Sequence, residues 1–322
     1  MVLERIDAFE VNFVDSCAKE EFKLQSTTGV GERRIYIGKE EQKYDEFFEF
    51  ERIEYFITQK KDLLNYLKDA YDEFINPTQD YRNNLSDMYE TLLKETQEIP
   101  DESIKYHFRK TFDSQDRYYL VLDPQNGRNA ENYGYIRNIS LPRITKFCFI
   151  KFKDSNTNKI YIYMRPVFFN NKGIKEESIN IIKENEENNF FEEERVTRKR
   201  QAEYRQNVLE QMPFCPFTLV TEDRILQACH IKPFSKCEND NERYDYKNGI
   251  TMTPTYHVLF DLGMISFKDN GELLISPFLS NMNKTRLNLK DGDNYRLQTG
   301  SNCYLEYHRK NIFCKMPDLD DL

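Results

Sequence analysis

The 322-residue chain is poor in histidine and lacks the patterns that mark membrane and secreted proteins. It has four histidines and seven cysteines, and the cysteines stand at irregular spacing with no C-x-x-C pair. Such spacing argues against a disulfide framework and against a four-cysteine zinc site. No stretch approaches the roughly 18 consecutive apolar residues of a membrane helix, and the start, MVLERIDAFEVNF, lacks the basic-then-apolar layout of a secretory signal. These absences predict a cytoplasmic protein in a reducing compartment.

The composition is that of a folded protein that is long enough for two domains. Hydrophobic residues make up 39% of the chain, with 24 Phe and 21 Tyr. The net charge of −9 lowers the expectation of non-specific DNA binding, but a local cluster of Lys and Arg can still form a basic face on an acidic protein. The charge is therefore compatible with nucleic acid as a partner, recognised through a shaped site.

Residues 1–190 carry both helical and strand-like patterns, which predicts an α+β fold with an N-terminal helical and antiparallel-β region. Apolar residues at three- and four-residue spacing predict helices over 51–75, 81–96 and 102–112, the last with His107 on it. The segment RRIYIG predicts a strand over 33–38, and YYLVLD predicts another over 118–123. Alternation of apolar and polar residues on both sides of 155–158 predicts an antiparallel hairpin over 144–169.

A charged, Asn-rich stretch, 172–189, predicts a boundary between an N-terminal region, 1–190, and a C-terminal domain, 191–322. From residue 192 the sequence EEERVTRKRQAEYRQNVLEQM predicts a long helix. This run is either a solvated helix face or a phosphate-contacting helix, and its place just before the histidine-bearing stretch leaves both interpretations open. Its basic residues are Arg195, Arg198, Lys199, Arg200 and Arg205.

Two of the four histidines lie within 215–274, and Asn248 lies between them. His230 ends the apolar run ILQACHI, just before a polar loop, which predicts an exposed imidazole at the end of a strand. An imidazole that titrates near neutrality is a suitable general base, although a histidine on an apolar strand is more often a core residue. Asn248 is either an ordinary turn residue or an amide that ties the loop to its base and holds His230 in place.

His257 lies in the first turn of a short predicted helix that has Thr253 as its N-cap, Pro254 as its first residue and Gly263 as its C-cap. Asp261 follows four residues later, so the two side chains project from the same face. They form a plausible half-shell for a divalent metal; the alternative is a capping histidine beside a solvated carboxylate. Apolar packing of this helix is expected from Val258, Leu259 and Leu262.

Together these parts indicate metal-assisted hydrolysis of a phosphodiester. The chemistry needs a base to deprotonate water, a cation to stabilise the developing charge, and basic side chains to hold the flanking phosphates. The candidates for the phosphate contacts are Lys232, Arg243 and Lys247.

Several separated motifs resemble those of the HNH endonucleases. ACHIKPFS, YKNGITMTPTYHVLFDLGMIS, DNGELLIS and YLEYHRKNIF follow one another as in the bacterial branch that runs A-x-H-I-x-P, N-G-I/L and H-x-L-F-D-x-G, over about 201–313. The resemblance implies a ββα-metal core that cuts DNA with a single divalent cation, Mg²⁺ or Mn²⁺. It implies that His230 is the general base, that Asn248 orients the loop and that His257 is a metal ligand. The resemblance also implies that Asp261 takes the place of the second helical histidine ligand of colicin-type nucleases.

One position departs from the family pattern. Many HNH enzymes have an acidic residue or a histidine, often a metal ligand, just before the general base, whereas this chain has Cys229. A thiol is poorly matched to Mg²⁺ or Mn²⁺, so Cys229 is expected to be a packing residue, and the metal shell is left incomplete. Cys215 and Cys237 lack a second close pair, and this spacing argues against a structural zinc. His308, in the last motif, is expected to be structural or to contact phosphate.

The expected function is a type II-like, site-specific restriction endonuclease that binds double-stranded DNA and acts as a homodimer. Its N-terminal region would read the target, with the hairpin at 144–169 and the helix from Arg195 as the sources of base and phosphate contacts. A second hypothesis is a non-specific HNH effector of a phage-defence system. A third is a non-catalytic DNA-binding protein, which the presence of His230, Asn248, His257 and Asp261 together disfavours.

Overall fold

A computed structural model of the chain describes residues 2–13, 17–26, 35–39, 47–110, 117–123, 125, 133–169 and 190–317. The chain separates into two units, one within Met1–Asn170 and the other within Asn171–Pro317. The boundary expected at 172–189 lies outside the described residues. Helices and strands occur in both units, which confirms the α+β class.

The N-terminal unit is built on a seven-stranded mixed sheet. Its strands are β1 (Leu3–Asn12), β2 (Ile35–Lys39), β3 (Ile53–Gln59), β4 (Ser103–Lys110), β5 (Arg117–Val121), β6 (Thr145–Asp154) and β7 (Ile160–Phe168). They lie in the order β1-β6-β7-β3-β4-β5-β2. The β3/β7 pair is parallel, and the other five neighbouring pairs are antiparallel.

Helices pack against this sheet and close its core. They are α1 (Lys60–Asp69), α2 (Tyr71–Ile75), α3 (Ser86–Gln97) and α4 (Gly134–Ile139). The first of them, α1, packs against α3, α4 and β7. The core contains fully buried side chains from the strands and from α1, among them Phe56, Leu63, Phe149 and Met164. The unit therefore has a hydrophobic core of its own.

The helix expected over 51–75 is wrong in its first third, because 53–59 form strand β3. This strand lies between β7 and β4, and from Phe56 to Gln59 every residue is buried. A strand that is covered on both faces loses the alternation of apolar and polar residues. Its apolar residues can then recur at the three- and four-residue spacing that predicts a helix. The helical part of the prediction is confirmed by α1 and α2.

The helix expected over 102–112 is also wrong, because 103–110 form strand β4, which carries His107. Ile104 and Tyr106 are buried, whereas Lys105 and Arg109 are exposed. This period of two is the signature of a strand. The expectation of a helix over 81–96 is confirmed by α3, although the helix begins only at Ser86.

The hairpin expected over 144–169 is confirmed by β6 and β7. The Asp154 carboxylate accepts hydrogen bonds from the Thr157 hydroxyl at 2.7 Å and from the Asn156 amide at 3.2 Å, which closes the turn. The two strands are mostly buried, and continuous exposure is confined to 155–159 in the turn. The strands therefore do not offer the open surface that base contacts along the hairpin would need.

The C-terminal unit begins with a long helix and contains two small sheets. Its elements are α5 (Phe190–Gln211), β8 (Gln227–His230), α6 (Asp240–Arg243), β9 (Gly249–Met252), α7 (Pro254–Asp261), β10 (Ile265–Phe267), β11 (Leu273–Ile275), α8 (Asn281–Arg286) and α9 (Asn302–Asn311). β8 pairs antiparallel with β9, and β10 pairs antiparallel with β11. The long helix and the strand, loop, strand and helix order predicted around the two histidines are confirmed.

Helix α7 packs through Phe260, which was not among the residues expected to pack. Phe260 is fully buried in the core of this unit, whereas Leu262, expected to pack, is 45% exposed. Gly263 ends the helix with φ +66°, as its predicted capping role requires. Thr253 has the extended backbone of an N-cap, but its side chain makes no capping hydrogen bond.

Two further observations concern the cysteines and the helices. The seven cysteines, all in the described part of the chain, form no disulfide. Among the described residues, no helix is both long enough and apolar enough to cross a membrane.

Candidate active site and metal centre

His230 lies at the end of β8, opposite Gly249 of β9. Its Nε2 lies 2.9 Å from the backbone oxygen of Arg243. Because a carbonyl oxygen only accepts hydrogen bonds, Nε2 carries the proton, and the lone pair of the neutral ring is on Nδ1. The imidazole is partly buried, not exposed as the sequence suggested. Burial lowers the pKa of His230 despite the opposing effect of the Arg243 carbonyl, which favours the neutral ring.

The imidazole of His230 is stacked on the ring of Tyr204, with centroids 4.3 Å apart and planes 13° apart. Phe234 meets it edge-on, with centroids 5.8 Å apart. Tyr204 belongs to α5 and was not among the predicted site residues. The signal was present, because Tyr204, Val208 and Met212 recur at four-residue spacing and are all buried.

Asn248 is fully buried and ties the loop between β8 and β9 to its base. Its Oδ1 accepts from the Lys232 amide at 2.7 Å, and its Nδ2 donates to the Lys232 carbonyl at 3.0 Å and to the Glu242 carbonyl at 3.2 Å. Its own carbonyl accepts from the Ile231 amide and from the Tyr204 hydroxyl, both at 3.0 Å. These bonds fix the loop that carries the Arg243 carbonyl.

His257 is held in one orientation by a strand residue. Its Nδ1 lies 2.7 Å from Oε1 of Gln227, and since an amide oxygen only accepts, Nδ1 carries the proton. Its Nε2 lies 3.1 Å from Oδ2 of Asp261, one turn further along α7. A histidine whose other nitrogen is hydrogen-bonded in this way has the orientation that metal ligands need.

Cys229 lies with His257 and Asp261 in one cluster of potential metal donors. One donor atom from each of the three side chains lies within 4.8 Å of the other two. Cys229 is fully buried, His257 is 8% exposed and Asp261 is exposed. Cys229 does pack in the core, as expected from the sequence, but the structure also brings it to the two helical donors. Sulfur, nitrogen and oxygen together form a donor set that suits a divalent transition metal.

The alternation of side chains along β8 explains how Cys229 arrives there. Residues two apart on a strand share a face, so Gln227, which contacts His257, and Cys229 point to the same side. A strand at this position fixes which residues share a face, but only the packing of α7 against β8 shows that this face carries the thiol toward His257.

The three predicted phosphate contacts near the loop differ in their surroundings. Lys232 is 8% exposed and its ammonium is 2.7 Å from the Glu242 carboxylate. Arg243 is 3.0 Å from Asp240, with its guanidinium over the ring of Phe234. Lys247 is partly exposed, beside the ring of Tyr246.

The basic residues of α5 whose side chains are described make contacts within their own unit. Arg200 forms an ion pair with Asp240. Arg205 donates to the backbone oxygen of Asp223 at 2.7 Å. Lys199 is exposed, 3.8 Å from Glu203. The side chains of Arg195 and Arg198 lie outside the described residues.

Cys215 and Cys237 lie in separate surroundings. Cys215 contacts the Thr253 hydroxyl at 3.6 Å, and Cys237 contacts the backbone oxygen of Pro233 at 3.5 Å. Among the described residues, neither joins a group of three metal donors. These surroundings give no support to a structural zinc at the two thiols.

His308 of α9 lies 1% exposed in the core of the C-terminal unit. Its Nδ1 is 2.9 Å from the Ser266 hydroxyl, its Nε2 is 3.0 Å from the Phe260 carbonyl, and its ring stacks on that of Phe260 at 3.8 Å. Burial lowers the pKa of His308 to about 4. The structural alternative for His308 is therefore correct, because a neutral, enclosed ring is not placed to contact phosphate.

β8, β9 and α7 thus form a ββα unit in which a histidine with an available nitrogen adjoins a cluster of metal donors. The order of these elements is that of the ββα core which the sequence resemblance implied. Residues 215–268 match the family model of the HNH endonucleases, which confirms the sequence resemblance for this part of the chain. No curated protein matches the chain. The family implies DNA as the substrate and a divalent metal as the cofactor.

Proposed function

We propose that the chain is a divalent-metal-dependent DNA endonuclease that hydrolyses phosphodiester bonds, of the type II-like, site-specific restriction class. The observation that carries the proposal is the state of His230. Its Nε2 is engaged by the Arg243 carbonyl, which leaves the Nδ1 lone pair available for a proton from water. Burial lowers the pKa of His230 and the carboxylate of Asp261 opposes this effect, which supports a shared site for base and metal donors.

Each polar residue of the site has a defined part in this proposal. His230 takes a proton from the attacking water at Nδ1, and Tyr204 holds the plane of its ring. Asn248 maintains the loop whose carbonyl fixes the tautomer of His230. A divalent ion at His257 and Asp261 would stabilise the charge that develops on the phosphate and on the leaving oxygen.

Phosphate contacts on either side of the scissile bond fall to the basic residues named from the sequence. Lys199 and Lys247 are open enough to bind DNA directly. The remaining described candidates would first have to release protein partners, namely Glu242 for Lys232, Asp240 for Arg243 and Arg200, and Asp223 for Arg205. Arg195 and Arg198, on the first turns of α5, complete the proposed set.

Target reading is assigned in this proposal to the N-terminal region, 1–190, and cutting to 191–322. A core separate from that of the nuclease unit supports such a division. One active site per chain cuts one strand at a time, so cleavage of both strands calls for a homodimer. Light scattering of the chain with and without cognate DNA tests this, and a strictly 1:1 complex that still cuts both strands would contradict it.

The proposal is tested by incubating the purified chain with plasmid and phage DNA in the presence of Mg²⁺, Mn²⁺, Zn²⁺, Co²⁺ or EDTA. Discrete fragments in a metal-dependent pattern are expected. A smear would favour the non-specific phage-defence effector instead. Uncut DNA under every condition would contradict both and favour the non-catalytic DNA-binding alternative.

His230→Ala should abolish cleavage while leaving folding and DNA binding nearly unchanged. His107→Ala is the matched control, because His107 lies on β4 of the other unit and should leave cleavage intact. Full activity of His230→Ala would show that the general base has been assigned to the wrong residue.

A further inference from the structure

The thiol of Cys229 lies in the core and also beside two other potential metal donors. Its side chain is fully buried, but its sulfur lies within 4.8 Å of a donor atom of His257 and of one of Asp261. Ligands bound to one ion at about 2.0–2.3 Å are at most about 4.6 Å apart. The three donors therefore lie close to the spacing that one shared ion requires.

From this cluster we infer that Cys229 is the third metal ligand, and that the site selects a thiophilic divalent ion such as Zn²⁺ or Co²⁺ over Mg²⁺. The inference deepens the proposed function, because it concerns the metal of the same site. It replaces the Mg²⁺ or Mn²⁺ expected from the family resemblance.

The chemistry of the donors supports this selection. Mg²⁺ prefers six oxygen ligands in octahedral geometry, and only one of the three donors here is an oxygen. Thiolate and imidazole favour Zn²⁺ and the later transition metals. A thiolate and a carboxylate together also balance the charge of a divalent ion, which offsets the cost of placing that ion beside a buried sulfur.

The number of donors is also informative. Catalytic zinc sites have three protein ligands and a fourth position left open, whereas structural sites close all four. Cys229, His257 and Asp261 supply three. The Gln227 amide orients His257 from the β8 side, as an outer partner of a ligand histidine does.

Metal binding at a cysteine has a proton balance that can be measured. The thiol becomes a thiolate when its sulfur bonds to the ion, and its proton passes to the buffer. Titration calorimetry in two buffers of different ionisation enthalpy therefore reports whether the thiol takes part.

The direct test is titration of the full-length, metal-stripped chain with Co²⁺ alone. A thiolate-to-cobalt charge-transfer absorption in the near ultraviolet is expected, at one ion per chain. Cys229→Ser should remove that absorption and weaken Co²⁺ binding by roughly 100-fold or more, since loss of an outer partner alone costs about 10–100-fold. Cys303→Ser is the matched control, because Cys303 is exposed and should change neither.

Cys229→Asp provides a second variant, with an oxygen donor in place of the sulfur. It should bind Co²⁺ without the charge-transfer absorption, release less proton, and shift the ratio of Mg²⁺ to Zn²⁺ affinity toward Mg²⁺ by at least about tenfold. A wild-type Co²⁺ complex without thiolate absorption would overturn the inference, and this result depends on no variant.

The outcomes separate this inference from the proposed function. Thiolate absorption without DNA cleavage under any metal would support the ligand and contradict the endonuclease. Cleavage that depends on Mg²⁺, and that is unchanged in Cys229→Ser, would support the endonuclease and overturn the ligand.

Discussion

The ring of Tyr204 lies 4.3 Å from the imidazole of His230, and its hydroxyl donates to the Asn248 carbonyl at 3.0 Å. One side chain of α5 thereby contacts two residues of the candidate site. The same hydroxyl lies 2.7 Å from where a Cβ on Gly249 would be, so the helix can approach β9 this closely only because residue 249 is a glycine.

Replacing Tyr204 separates the effect of the ring from that of the hydroxyl. Tyr204→Phe keeps the stack and should change the single-turnover cleavage rate by less than about threefold. Tyr204→Ala removes the stack and lets the imidazole tilt, which should slow cleavage by about 10- to 100-fold, since small misplacements of a catalytic group are costly. Equal losses in both variants would show that the hydroxyl, not the ring, positions His230.

Asn248→Ala should destabilise the C-terminal unit. The substitution leaves the buried Lys232 amide and carbonyl without their side-chain partner, and an unsatisfied buried group costs about 1–3 kcal/mol. Urea unfolding followed by circular dichroism should show a loss of about 2–3 kcal/mol. Asn311→Ala serves as the control, because Asn311 is exposed and its loss should cost less than about 0.5 kcal/mol. Matching losses in the two variants would contradict the loop-tying role.

Two glycines in left-handed conformation test the packing at the end of α7. A Cβ on Gly263, with φ +66°, would lie 2.2 Å from the Ile312 carbonyl, whereas one on Gly292, with φ +83°, would meet nothing within 4 Å. Gly292→Ala should therefore cost only the backbone strain of about 1–2 kcal/mol. Gly263→Ala adds the clash with a backbone atom and should cost clearly more by urea unfolding. Similar losses of stability in the two variants would mean that the backbone at the end of α9 moves to accommodate the added Cβ.

His308 should make stability depend on pH in the acidic range. Burial lowers its folded-state pKa to about 4, an effect that the nearby Arg309 charge assists and that the Phe260 carbonyl and Asp261 oppose. Between the unfolded value of about 6.5 and about 4, the unfolded chain binds more protons, so stability is lost as pH falls through that window. Above it, the contribution is complete and constant.

The expected size of this loss between pH 7 and pH 5 is about 2 kcal/mol. Urea unfolding at the two pH values measures it for the wild type and for His308→Asn, which does not titrate there. The variant should be less stable at pH 7 but should show a shallower pH dependence. The same dependence in both proteins would mean that His308 is not the titrating group.

The sequence predicted the candidate site better than the fold that surrounds it, for a physical reason. His230, Asn248, His257 and Asp261 lie within one short stretch, and strand pairing with turn and cap signals was enough to place them together. Tyr204 belongs to a helix that meets the site only through tertiary packing. Cys229 precedes the predicted base in the sequence, but its nearness to His257 and Asp261 depends on which face of β8 packs against α7.

The N-terminal sheet contains two strands, β3 and β4, for which the local sequence pattern was interpreted as a helix. Strand β3 is covered on both faces, so its apolar residues resemble a helical stripe. In β4, Ile104 and Tyr106 are buried and Lys105 between them is exposed, which is the period of two typical of a strand. The parallel pairing of β3 with β7 joins residues about a hundred positions apart, and no local signal reports such a contact.

The contact between Gly263 and the end of α9 shows that the C-terminal unit extends beyond the residues that the family model matches. The family match stops at residue 268, yet the Gly263 carbonyl accepts from the Cys314 amide at 2.9 Å, and the Ser276 hydroxyl donates to the Cys314 carbonyl at 2.8 Å. A fragment cut where the signature ends would lose these bonds and the ring that stacks on Phe260. Transferring this unit to another protein therefore requires its chain through Pro317.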